Sequence, residues 1–347
     1  MVRKKIIIIL PFKESLNPKM AGAVSLFVKD TTKYSKFKKN INLVSSENNK
    51  NTLFRNRNYI LGFCKKNINK KIDIIEIHNR PEYVKYIKKY FPNSKIILTF
   101  HNDPLSLRGS VKISEREQLL KNCNKIIFIS RWIQKRFYTS FVNLDYIKTQ
   151  IIYHGVDKIK KIKSPKKKNI LFVGKLNESK GYSIFVDAAK KFKAYNPNWN
   201  FIAIGDEPRK TIFPDKNVVK EIGYKTNKEV LEYYNSSEIA VGNSVWQEPL
   251  GRIAIEASSR RCLPIISNVA GLAESKRIAY VLNENNSLNL FNTLVKLTKS
   301  NALRKKLQNQ YYLNNKFDLK KISESIDLVR QNIYENQNNL DSRKNLK

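Results

Sequence analysis

Short apolar runs recur along the chain, each followed by a longer stretch in which apolar residues return at helical spacing. In the first half the runs are Ile6–Leu10, Ile41–Val44, Ile72–Ile77, Ile96–Phe100, Ile126–Ile129 and one in the 150s. In the second half they are Asn169–Val173, Phe201–Ile204, Val218–Ile222, Glu238–Val241 and Cys262–Ser267. Strand-like runs alternating with helices predict βαβ units and parallel sheets, hence an α/β fold. The alternation pauses at Lys158–Lys168, KIKKIKSPKKK, a basic segment with a proline that reads as a linker. The expected organisation is an N-terminal domain over 1–157, a linker over 158–168, a second domain over 169–315 and a terminal helix over 316–347. Ile322, Ile326, Val329 and Ile333 give that helix an apolar stripe, and its polar end, Gln337–Lys347, is expected to fray.

Ligands of open α/β sheets bind beyond the carboxyl ends of the strands. Residues just after the apolar runs are therefore the first candidates for chemistry. All three histidines stand there: His78 after IDIIEI, His101 after KIILTF and His154 after QIIY. Each can serve as an acid–base or binding residue or be simply structural, and His154 reads as a turn residue. Arg80, next to Asn79, can hold an anionic group with its forked donors, or can serve structurally, bound to carbonyls or to Glu82. Gly22 precedes the helix-like AVSLFVKDTTKY and lets the backbone come close to a ligand, or is simply a turn glycine. Ser130 suits a helix N-cap. Gly174, Lys175 and Lys180 flank the turn after Asn169–Val173, where two lysines can hold a diphosphate as point charges. Gly205 ends the next run.

The richest stretch is Val241–Glu274, VGNSVWQEPLGRIAIEASSRRCLPIISNVAGLAE. Glu248 and Glu256 are separated by seven residues, with Pro249, Leu250 and Gly251 opening what reads as a helix packed through Ile253, Ile255 and Ala257. A helix N-terminus suits an anion. A carboxylate on each side of it accepts hydrogen bonds from hydroxyls. A sugar joined to a diphosphate offers that combination of groups. The plainer alternative is a surface helix with two solvated glutamates.

Composition adjusts this picture. At 347 residues and 41% hydrophobic, the chain is long enough for two packed α/β domains. Its three cysteines are far apart, without metal-ligand or redox spacing, which points to a reducing, cytoplasmic compartment. The opening apolar run is too short to span a bilayer and lacks a cleavage site, so it reads as a buried strand. The formal charge of +37 has three readings: nucleic-acid binding, attraction to an anionic membrane, or compositional bias. The lysines are spread along the chain without a nucleic-acid motif, which favours bias and membrane attraction over nucleic acid.

EPLGRIAIEA is similar to the E-x7-E motif of family 4 of the retaining glycosyltransferases, and AGLAE resembles that family's Gly-Gly-x-x-Glu loop with Ala270 for the first glycine. The resemblance extends from Gly22 to the tail and is strongest between Lys175 and Glu274. It implies the GT-B fold, two Rossmann-like domains facing each other across a cleft, with the last helix crossing back to the first. It implies a retaining, metal-independent hexosyltransferase acting on a nucleotide diphosphate sugar, a UDP-sugar for preference, with no cofactor beyond that co-substrate. The acceptor is expected to be a cell-surface polysaccharide, a lipopolysaccharide or a lipid-linked glycan. His101 would lie beside the transferred sugar, Lys175 and Lys180 on the phosphates, Glu248 on the sugar hydroxyls and Glu256 on the ribose. Gly22, Gly174, Gly205, Leu250 and Gly251 would complete the donor site, and Asn79, Arg80 and Asn102 the acceptor side. Lys175 stands where the family has an arginine, and Ala21-Gly22 supplies one glycine of a pair. The expected location is cytoplasmic, peripheral on the inner face of the plasma membrane. No G-x-G-x-x-G occurs, which disfavours a Rossmann dehydrogenase, and a two-carboxylate glycosidase would not need the lysines. The remaining alternative is a basic nucleic-acid- or membrane-binding protein that kept the fold without catalysis.

Overall fold

A computed structural model describes residues 5–12, 14–46, 59–142, 146–161 and 165–344, with side chains up to 335 in the last helix. The chain forms two compact units, Met1–Gly155 with Leu319–Lys347, and Val156–Asp318.

The first unit runs β1 (Ile6–Ile9), α1 (Ala23–Tyr34), β2 (Ile41–Val44), α2 (Tyr59–Asn67), β3 (Ile74–His78), α3 (Tyr83–Tyr90), β4 (Lys95–Phe100), α4 (Ile113–Asn122), β5 (Lys125–Phe128), α5 (Arg131–Phe137) and β6 (Thr149–Ile151). The second runs β7 (Lys167–Val173), α6 (Tyr182–Tyr195), β8 (Asn200–Ile204), β9 (Val219–Glu221), α7 (Asn227–Ser236), β10 (Ser237–Gly242), α8 (Arg252–Ser259), β11 (Leu263–Ile266), β12 (Tyr280–Val281), α9 (Ser287–Lys299) and α10 (Asn301–Asn314). The final helix, α11 (Leu319–Lys344), belongs to the first unit.

Each unit holds a six-stranded sheet, ordered β2-β1-β3-β4-β5-β6 and β12-β11-β10-β7-β8-β9. Every strand pair is parallel. Central strands such as β1 and β11 are buried along their whole length, so they are apolar throughout. The order of the sheets matters for function. The first grows outward in both directions from β1 and β3, and the second from β7 and β10. Crossovers leave opposite faces on either side of such a point, which opens a crevice at the carboxyl ends.

In the first unit α1 and α11 lie together on one face of the sheet, where Val24, Phe27, Ile326 and Val329 join Ile6 and Ile8 in one core. A buried polar network fastens α11. Arg330 donates to both carboxylate oxygens of Glu76 on β3 at 2.6 and 2.9 Å and to Asp327 at 2.9 Å, and Ser35 donates to Asp327 at 2.7 Å. In the second unit Phe172, Phe185, Phe192 and Phe201 pack between β7, β8 and α6.

Several boundaries differ from the sequence reading for physical reasons. Helix α8 begins at Arg252 rather than at Pro249, because Leu250 is buried and the Glu248 carbonyl accepts from Gly271 at 2.8 Å, which holds 248–251 as a loop. The segment read as a linker is docked at its start: the Ile159 amide donates to Ser259 at 3.2 Å, and its carbonyl accepts from the Tyr312 hydroxyl at 2.7 Å. The linker's residues 162–164 lie outside the described residues, and β7 already starts at Lys167. The end expected to fray is helical to Lys344, and 345–347 lie outside the described residues.

Candidate functional site

In the second unit the carboxyl ends of β7, β8 and β9 are joined through glycines. The Gly174 amide donates to the Ile204 carbonyl and the Gly205 amide to the Gly223 carbonyl, both at 3.0 Å. Gly174 and Gly205 have φ of +151° and +143°, and a Cβ on Gly205 would overlap the Gly174 carbonyl. Only glycine tolerates both the dihedral and the approach.

The turn after Gly174 is built to present Lys180. Leu176 is buried and anchors it, and the Asn177 side chain accepts from the Lys180 amide at 3.2 Å. Gly181, at φ +72°, lies against the backbone carbonyl of Asn243, and the buried Asn243 amide donates to the Gly181 carbonyl at 2.8 Å. The Trp246 amide donates to Ser179 at 2.9 Å, as does the Ser244 hydroxyl at 3.0 Å. The loops after β7 and β10 are thereby stitched together at the crevice of this sheet. The result is an ion pair between the Lys180 ammonium and Glu248, with the ammonium 5.2 Å from the centre of the Trp246 ring.

Past Glu248 the loop interlocks with the 3-10 turn 270–275. A Cβ on Gly271 would overlap the Pro249 carbonyl, and Gly251, at φ +73°, has the Leu272 side chain where a Cβ would stand. Gly251 is the N-cap of α8, which no side chain caps. One turn into α8, Glu256 is 6% exposed, and among the described residues the bonds to its carboxylate go to one oxygen, Oε1. Arg252 donates to it at 2.9 Å and Asn227 at 3.0 Å. Lys175 is exposed, and its charge acts on Glu207. The hydrogen bonds from Asn177 and the Arg209 amide, and then Lys175, hold the Glu207 carboxyl below the usual range.

In the first unit the three histidines form one chain. His78 Nδ1 is 2.9 Å from His101 Nε2, and His101 Nδ1 is 3.2 Å from His154 Nε2. All three rings are buried, and Phe27 of α1 lies against them, stacked on His154 at 4.8 Å. His154 is thus not the turn residue its sequence context suggests. Burial, and then the Arg330 charge, lower the His78 pKa to about 3. Asn79, in the left-handed region at φ +55°, accepts from the amides of His101 and Asn102 at 3.2 and 3.0 Å and so joins the ends of β3 and β4. Arg80 donates to the Asn79 carbonyl at 3.1 Å. Gly22 is the N-cap of α1, and there the Glu14 carboxylate accepts from the Ser25 amide at 3.2 Å and its hydroxyl at 2.5 Å. Ser130 caps α5 through the Ile133 amide at 3.2 Å.

The structure therefore brings Lys180, Glu248 and the start of α8 together, and gathers His78, His101 and His154 in the other unit. Asn177, Asn243, Trp246, Arg252 and Asn227 were not singled out from sequence. Arg252 alone had a local signal, its i,i+4 spacing to Glu256. Among the described residues no group of three His, Cys, Asp or Glu is placed to hold a metal ion.

Residues 156–313 match the family model of glycosyl transferases group 1. The chain is 26% identical over 255 residues to spore coat protein SA of Bacillus subtilis, covering 62% of this chain and 65% of the relative. It is 30% identical over 237 residues to the uncharacterized glycosyltransferase MJ1178 of Methanocaldococcus jannaschii, covering 65% of each. The chain thus spans under two-thirds of the length of these relatives. Its fold is similar to that of Anabaena Alr3699/HepE, solved in complex with UDP, with a TM-score of 0.70, 16% identity and coverage of 94% of this chain and 100% of the other. The fold is that of GT-B proteins, and the second unit, through residues 156–313, is similar to glycosyl transferases group 1.

Proposed function

We propose that the chain is a retaining glycosyltransferase that moves a sugar from a nucleotide diphosphate sugar, a UDP-sugar for preference, to a glycan or lipid-linked acceptor of the cell surface. The observation that carries the proposal is the Lys180–Glu248 pair beside the uncapped start of α8, with Glu256 one turn further on.

The difficult step is parting the sugar from the diphosphate, because negative charge builds up on the leaving group. Lys180 and the α8 amides supply positive charge where it develops, with Lys175 as a second ammonium. These groups do a cation's work without a metal. Glu248, once Lys180 turns to phosphate, accepts from sugar hydroxyls. Glu256 is oriented by Arg252 and Asn227 through Oε1, so Oε2 is left to accept from a ribose hydroxyl. His101 would stand beside the transferred sugar, and Asn79, Arg80 and Asn102 on the acceptor side. The relative solved with UDP supports a uridine donor as the first trial.

Titration calorimetry with UDP, GDP, ADP and their sugars, followed by donor-hydrolysis assays, tests this. UDP or a UDP-sugar should bind, and Glu256→Ala should abolish that binding. Unchanged affinity in the variant would sink the role given to Glu256, and no nucleotide binding at all would sink the reading. We place the protein in the cytoplasm, held on the inner membrane face by its formal charge of +37. No helix among the described residues is long and apolar enough to cross a membrane. Sedimentation with anionic vesicles should show binding at low salt that weakens at high salt. No binding at either removes the membrane claim.

A further inference from the structure

The histidine chain in the first unit contains more information than the position of one ring. A neutral imidazole has one N–H donor and one lone-pair acceptor. Both nitrogens of His101 are within hydrogen-bond reach of another ring nitrogen, at 2.9 Å from His78 and 3.2 Å from His154. His101 must therefore donate through one nitrogen and accept through the other, and its neighbours must match. The protons of the neutral chain can point only one way or the other along it.

The far end of His78 favours one of the two. Its Nε2 is buried and has no hydrogen-bond partner among the described residues. If the chain ran from His154 towards His78, Nε2 would carry a proton, and that N–H would be buried with nothing to accept it. If it runs the other way, Nε2 carries only a lone pair. Orphaned N–H groups are the rarer and more costly case inside proteins. The surroundings favour the same direction. Glu76, two residues before His78 on β3 and hence on the same face, holds the Arg330 guanidinium, whose positive charge acts on the His78 ring. A lone pair tolerates that neighbour better than an N–H dipole does.

We infer that His78 and His154 are positioning residues that fix His101 as its Nδ1–H tautomer: His78 Nδ1–H donates to His101 Nε2, and His101 Nδ1–H donates to His154 Nε2. Phe27 holds the rings in place, at 5.1 Å edge-on to His101 and stacked on His154. The longer of the two bonds, to His154, is the one whose opening would free His101. The nitrogen released bears the proton. His101 therefore meets a ligand as a hydrogen-bond donor, suited to a sugar oxygen, and not as a base. This role towards sugar rests on the function proposed above, whereas the tautomer does not.

Long-range proton–nitrogen NMR correlation on the uniformly 15N-labelled full chain reads the tautomers directly. His78 and His101 should both carry their proton on Nδ1, and an Nε2 proton on either overturns the inference. Variants at His154 supply the second arm, with UDP-glucose hydrolysis or transfer as readout. The amide of His154→Gln can accept near the place of Nε2, so it should keep the His101 tautomer and stay within about threefold of wild-type kcat, whereas His154→Leu should lower kcat by about tenfold or more with donor KM little changed. Equal losses in the two variants would mark His154 as merely structural and overturn its positioning role. A wild-type chain that binds no nucleotide would defeat the proposed function, yet the NMR result would still decide the tautomer.

Discussion

His78 makes the stability of the first unit depend on pH, and the size of the effect follows from its surroundings. Its ring is sealed beneath Phe27 and beside Arg330, so the charged form is disfavoured and the pKa falls from 6.5 to about 3. In the unfolded chain the same ring regains a pKa near 6.5. Below that value the unfolded state binds a proton that the folded state refuses. Stability is thus fully present above pH 6.5 and is lost as the pH falls towards 3, where the loss levels off. Each unit of pH within that window is worth about 1.4 kcal/mol, so moving from pH 7 to pH 5 should remove about 2 kcal/mol through this ring alone. Other groups titrate over the same range, so the comparison must be between variants. His78→Asn keeps a donor near the position of Nδ1 and cannot be protonated. Trp132 on α5 reports on this unit in a Trp199→Phe/Trp246→Phe background, and urea unfolding at pH 7 and pH 5 gives the two stabilities. Wild type should lose about 2 kcal/mol more than His78→Asn between the two pH values. Equal losses would mean that His78 is not held neutral by burial, and the reasoning would fail.

The other consequences can be measured in the same preparations. Arg330→Met leaves Glu76 and Asp327 buried without their cation and should destabilise the first unit by about 3–5 kcal/mol. A change under about 1 kcal/mol in urea unfolding would contradict that account of α11. Gly181→Ala meets both a left-handed φ and the Asn243 carbonyl, whereas Gly174→Ala has the unfavourable φ but nothing within 4 Å, so the first should be the more damaging by thermal unfolding. Equal shifts would mean that the close approach to β10 is unimportant. Lys180→Met should weaken UDP binding by about tenfold or more in calorimetry, and an unchanged Kd would remove Lys180 from the phosphate site.

Much of the fold was legible because its strands are buried on both faces. Runs such as Ile6–Ile9 and Leu263–Ile266 have no polar side to blur them, and the helices between the strands dictate parallel pairing. What the pattern missed was short or held from a distance. β12 is two residues long, too brief for any periodicity. The start of α8 was misplaced because Pro249 and Gly251 look like helix openers, while a contact to Gly271, over twenty residues on, keeps them in a loop. The histidine chain was half visible: each ring stood after a strand, at the correct edge of the sheet. Only the strand order brings residues 78, 101 and 154 within hydrogen-bonding distance, and local spacing contains no trace of it.

The two glutamates of the E-x7-E stretch are alike in sequence and unlike in structure, and the difference bears on what the site selects. Glu256 is held by Arg252 and Asn227 in a buried position, its orientation fixed by groups of its own chain. Glu248 is paired with Lys180, so the ammonium expected to meet phosphate is already neutralised by a carboxylate of its own chain. A phosphate must displace that carboxylate, and Glu248 is then left without its cation in a partly buried place. Bare pyrophosphate offers nothing to compensate. A sugar attached to the diphosphate does, because its hydroxyls donate to the carboxylate that Lys180 has released. Under the function proposed above, in a chain of formal charge +37 where anions are attracted everywhere, this internal pair would reject phosphates that carry no sugar. Competition against a bound UDP-sugar at fixed ionic strength tests the argument. Pyrophosphate should compete poorly with wild type and better with Glu248→Gln, in which Lys180 is free beforehand. Equal competition in the two proteins would show that the ion pair has no part in selection.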